Sequence, residues 1–93
     1  MPPQQLTKEL EQKARVFALV GDPTRIRMLR LLSKKDKVNV SDIAKEVDMS
    51  IACISHHLQL LKDNRIVESE RVGNNIYYML VNSQFIGSLI ALI

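Results

Sequence analysis

Cys53, His56 and His57 fall close together, with Ser55 among them, and they hold most of the reactive side chains in a chain of 93 residues. Cys53 and His57 are four apart, so on a helix they share a face and can meet. That spacing suits two ligands of a metal site, or a thiol tuned by a neighbouring imidazole. It suits equally a small half-buried cysteine beside a groove-edge histidine. Two ligands are too few for zinc, and the chain holds no second cysteine. No metal site and no cofactor is therefore expected. Oxidation or alkylation of the lone thiol would still alter the surface around it. Ser55 and His56 are adjacent, so on a helix they point apart and form no nucleophile–base pair. There is no Gly-rich phosphate loop and no convergent carboxylate pair. A binding module is expected rather than an enzyme.

Composition agrees. The chain is 46% hydrophobic and 25% charged, in the range of ordinary globular proteins, and its length allows one core. One cysteine excludes a disulfide scaffold and fits a reducing compartment. Met1–Gln5 lacks the basic and apolar regions of a leader. The apolar tail Phe85–Ile93 is too short to span a bilayer, so a cytoplasmic location without membrane contact is expected. A net charge of +3 permits a nucleic-acid partner without arguing for one.

The elements that position those side chains follow from caps and periodicity. Thr7 is an N-cap for a first helix running to about Leu19, with Val16, Leu19 and Val20 on one face and Phe17 extending it. Gly21 ends it. Asp22 caps a second helix that has Pro23 at its first position. Val38-Asn39-Val40 reads as a short extended piece, and Ser41 as the cap of a two-turn helix with Ile43 and Val47 inward. Asp48-Met49 is a tight turn. Ser50 caps the next helix, which runs to about Asp63 and buries Ile54, Leu58 and Leu61, with Asn64 as a left-handed C-cap. The stretches 66–71 and 76–80 then read as strands of a hairpin around Val72–Asn75, and Asn82 or Ser83 caps a last helix. The expected class is mainly α with a small β-hairpin, in the order α-α-(β)-α-α-β-β-α.

Two short helices joined at Asp48-Met49 and followed by a hairpin form the winged helix-turn-helix pattern. The helix headed by Ser50 can lie in a major groove, with Ile51, Ala52, Ser55, His56 and Gln59 facing outward. The hairpin brings Arg71, Asn74 and Asn75 toward phosphates or the minor groove, and Lys62 and Lys37 are candidate phosphate contacts. Phe85, Ile86, Leu89, Ile90, Leu92 and Ile93 make the last helix apolar around most of its circumference. A terminal helix of that kind needs cover, and a second copy of the chain would supply it.

The motifs resemble those of the ArsR/SmtB-type repressors. Gly21–Leu29 is similar to that family's "ALGDPTRLRIL" opening. Ser50 with Ile54-Ser55-His56-His57-Leu58-x-x-Leu61 resembles its recognition helix, and Arg71-x-Gly73-x-x-x-Tyr77-Tyr78-x-Leu80 its wing. The resemblance covers about residues 14–90. It implies a homodimeric repressor of a pseudo-palindromic double-stranded DNA operator. It also implies a dimer interface formed by the terminal helices, 7–20 and 83–93, through Val16, Leu19, Phe85, Ile86, Leu89, Ile90 and Ile93. It further implies an Arg25 that pairs near Asp22.

The chain departs from the family pattern at the sensor. The stretch 38–42, where many members carry a cysteine pair, has none. Asn82 and Gln84 stand at the start of the last helix, where others place Asp and His ligands for zinc. Ile51 and Ala52 are apolar where members often carry Gln, Ser or Thr, and they suit thymine methyl groups. Lys62, Arg65 and Arg71 are balanced by Asp63, Glu68 and Glu70. The apolar helix tip and this balance keep one alternative open, a winged-helix protein-interaction module with little specific DNA binding.

Overall fold

A computed structural model describes residues 7–93. Met1–Leu6, and with them the reading of the opening as lacking a leader, lie outside the described residues. Five helices and three strands follow in the order α1 (Lys8–Val20), α2 (Pro23–Lys34), β1 (Val38–Asn39), α3 (Val40–Val47), α4 (Ile51–Asp63), β2 (Val67–Val72), β3 (Asn75–Leu80) and α5 (Gln84–Ala91). This is the winged helix-turn-helix architecture.

Side-chain oxygens start every helix, because the first backbone N–H groups have no partner inside it. Thr7 accepts from Leu10, Asp22 from Thr24 and Arg25, Ser50 from Cys53 and Ser83 from Ile86. One expectation fails here. Asn39, not Ser41, caps α3 and accepts from the Asp42 N–H, so the helix begins at Val40. The reason is tertiary. Val38 and Asn39 pair with Tyr78 and Tyr77, and that pairing holds Asn39 extended, as a cap requires.

The sheet is antiparallel in the order β1-β3-β2. Val67 faces Leu80 and Val72 faces Asn75, which leaves Gly73-Asn74 as a two-residue turn. Gly73 carries a left-handed φ of 63°, which the first central position of a type II′ turn demands. The turn is tighter than expected and β2 starts one residue later. Ile66 stays in the corner, donating to the Leu61 carbonyl and accepting from Val81. The left-handed residue after α4 is Arg65, at φ 59°, and not Asn64. Asn64 is held otherwise, its amide donating to the Leu60 carbonyl while its own carbonyl accepts from Gln12 of α1.

Met28, Leu29, Ile43, Ile54, Leu58, Leu61 and Ile66 are fully buried at the centre. Each such side chain contributes about 2 kcal/mol relative to exposure. Three of them come from α4, so the inner face of that helix is anchored while its outer face is left to solvent.

Candidate nucleic-acid interface

The turn between α3 and α4 sets the direction of α4. Asp48 takes a left-handed φ of 55°, its N–H bonds to the Lys45 carbonyl at 3.2 Å, and Met49 N–H bonds to Ala44 at 3.0 Å. Ser50 then restarts the chain, with its Oγ accepting from Cys53 N–H at 3.1 Å. No acidic side chain stands in the first turn of α4, so the positive end of the helix dipole is not offset there.

The outer face of α4 carries Ile51, Ala52, Ser55, His56 and Gln59, all exposed, with Ile51 at 53%. Ile51 and Ser55 line a groove of about 240 Å³ together with Asn74, Asn75 and Ile76 of the wing and Asn39, Val40 and Ser41 at the head of α3. The structure thus gathers Ile51, Ser55, Asn74 and Asn75 on one concave surface. Asn39, Val40, Ser41 and Ile76 belong to it too, and sequence reasoning had not placed them in the site. The only available signal for the first three was their position at the start of the helix-turn-helix.

Other candidates lie outside that groove. Ser50 is exposed, but its hydroxyl is engaged in the cap. Gln59 donates to Asp63 at 2.8 Å, and Lys62 donates to Ser69 Oγ of β2 at 2.8 Å, tying α4 to the wing. Arg71 is exposed on the wing. Lys37 sits 3.6 Å from Glu70 and over the Tyr77 ring. Among the described residues, neither the Ser55 nor the His56 side chain makes a hydrogen bond; the His56 ring stands edge-on to His57 at 6.4 Å.

Arg25 is placed differently from expectation. Its backbone N–H, not its guanidinium, bonds Asp22, at 3.2 Å. The guanidinium Nε donates to His57 Nδ1 at 3.1 Å, and Nη1 donates to the Leu19 carbonyl at 3.4 Å. The Arg25 N–H, then that of Thr24 and the nearby Arg25 charge, hold the Asp22 carboxyl below its ordinary range against a desolvation penalty. Burial, then the Arg25 charge, lowers His57, with Asp22 opposing.

Cys53 is a free, half-buried thiol. Among the described residues no three His, Cys, Asp or Glu side chains gather as they would to hold a metal ion. The neutral amides Asn82 and Gln84 do not fit zinc either.

The terminal helices form a second surface. Val16, Ile86 and Leu89, expected at an interface, are buried in the protomer's own core. Periodicity marks a residue as apolar without saying which neighbour covers it. Leu19, Phe85, Ile90 and Ile93 are half-buried, while Leu10, Phe17 and Leu92 are exposed. Phe17 and Phe85 meet edge to face at 6.1 Å. No described helix is long and apolar enough to cross a membrane.

Known proteins share this arrangement. The family described as "Bacterial regulatory protein, arsR family" matches residues 22–69. The transcriptional repressor SdpR of Bacillus subtilis is 42% identical over 65 residues, 70% of this chain and 71% of that one. A transcriptional repressor SmtB homolog of Synechocystis is 33% identical over 81% of this chain; the match spans 56% of that longer protein. A solution structure of a Mycobacterium bovis fragment superposes with a TM-score of 0.81 at 32% identity, covering 99% of this chain and 85% of that one. That fragment is described as a homodimeric winged helix-turn-helix DNA-binding domain of a possible ArsR-family regulator. By the extent of these matches, the chain belongs to the arsR family of bacterial regulatory proteins.

Proposed function

We propose that the chain is a homodimeric transcriptional repressor that reads a two-fold symmetric DNA site in the cytoplasm and does so without the family's metal-sensing sites. The observation that carries this reading is the groove joining the first turns of α4 to the wing tip. A major groove admits the exposed face of α4, and base contacts come from its N-terminal half. Ser55 and His56 then read base edges, Ile51 and Ala52 meet thymine methyl groups, and Arg71, Asn74 and Asn75 hold the backbone beside the wing. Gln59 and Lys62, already engaged within the protein, contribute less. The repressor names of two relatives and the homodimeric description of the Mycobacterium bovis fragment support repression and pairing.

The test is a titration on a duplex selected by the wild-type chain from a randomised pool, set against scrambled DNA. Ser55→Ala with His56→Ala should weaken the selected duplex about tenfold or more and the scrambled one little. Equal losses on both would remove the base-reading role. Failure to bind any duplex would favour a protein-interaction module, the use that the exposed Ile51 would then serve.

A further inference from the structure

Arg25 joins three helices at one corner. It belongs to α2, its Nη1 reaches the Leu19 carbonyl in the last turn of α1, and its Nε donates to His57 Nδ1 on α4. The negative end of the α1 dipole favours a cation there. A guanidinium does not give up its proton, so Nδ1 must be the acceptor. His57 is then the neutral tautomer that carries its hydrogen on Nε2.

We propose that His57 is a positioning residue: as a neutral acceptor for Arg25 it holds α4 at a set angle to the end of α1, and its protonation loosens that hold. The consequence for DNA rests on the reading above; the corner itself does not.

The charges acting on His57 come from Arg25 of α2, Asp22 of the cap before α2, and His56 on α4 itself, and the Cys53 thiol lies one turn before it on α4. Protonation would turn the acceptor into a donor facing a donor, with two cations in contact at 3.1 Å. Asp22 offsets only part of this, because one of its oxygens already accepts from Thr24 and Arg25. Since the folded protein holds His57 below its ordinary value of 6.5, the contribution is complete above that value. It is lost as pH falls from there toward the folded value.

The test compares amide hydrogen exchange across α4, referred to the β2–β3 hairpin and corrected for intrinsic rates, at about pH 7.5 and about pH 5.5. Affinity for the selected duplex is read in parallel. His57→Asn keeps an acceptor near the Nδ1 position and cannot be protonated in this range; Arg25→Lys keeps the charge and loses Nε. On acidification wild-type α4 should lose about tenfold in relative protection. His57→Asn should keep its neutral-pH protection, and Arg25→Lys should be poorly protected at both pH values. Unchanged wild-type protection, or an equal loss in His57→Asn, overturns the proposal. Nitrogen NMR of the wild type gives a reading independent of any variant: a protonated Nδ1 at neutral pH also overturns it. Should the chain select no duplex, the DNA reading falls, and exchange and tautomer still decide this one.

Discussion

The α4–wing surface and the α1–α5 surface both face solvent, yet they are organised in opposite ways. The first mixes polar side chains with exposed Ile51, Val72 and Ile76, and it is set by directional contacts: the Asp48 turn, the Ser50 cap, and the bond from Lys62 to Ser69. The second exposes Leu10, Phe17 and Leu92, with Phe85 and Ile90 partly covered. Directional contacts fix an angle, as a surface that must register with a groove requires. Apolar area fixes only that something must cover it. One surface therefore specifies geometry, and the other exposes apolar area without fixing an orientation.

Substitutions can sharpen or break that distinction. The largest expected effect lies beneath the apolar surface. Leu89 is 4% exposed within the protomer, so Leu89→Ala should cost about 3 kcal/mol in urea unfolding, at any protein concentration. A cost that shrinks on dilution would place Leu89 at an interface instead. Next comes Phe17→Asp with Leu92→Asp, at side chains 53% and 79% exposed. It should weaken self-association about a hundredfold by sedimentation equilibrium while leaving the helical circular dichroism unchanged. Loss of the fold would return both residues to the core and erase the contrast. The smallest effect belongs to the wing. A Cβ at Gly73 meets nothing within 4 Å, so Gly73→Ala carries only the strain of its positive φ, about 1 kcal/mol. Association should be unaffected, and a change in the sedimentation profile would show the two surfaces to be coupled.

Most of the scaffold was legible in the sequence, because its determinants are local. Thr7, Asp22, Ser50 and Ser83 each bond a backbone N–H two or three residues on, and a reader of the chain sees both partners. The burial of Ile54, Leu58 and Leu61 follows from spacing alone. What was misread depends on partners far along the chain. Asn39 prevailed over Ser41 as a cap because β1 pairs with β3. Arg65 took the left-handed position while Asn64 engaged Gln12, 52 residues away. The Arg25–His57 bond spans 32 residues, and no spacing rule points to it. In the site itself, the outward face of α4 was readable from periodicity. The contribution of residues 39–41 was not, because only the folded sheet brings them against the wing.

Ser55 and His56 stand exposed on α4, and among the described residues their side chains carry no hydrogen bond to the rest of the chain. Exchanging them removes no hydrogen bond that holds α4 in place. A duplicated copy of such a gene can therefore drift toward a new target through these two positions while its stability is preserved. Arg25 and His57 lack that latitude, since a replacement at either must still supply its half of the Nε–Nδ1 bond. Divergence among descendants should accumulate on the outer turn of α4 and stall at the corner behind it.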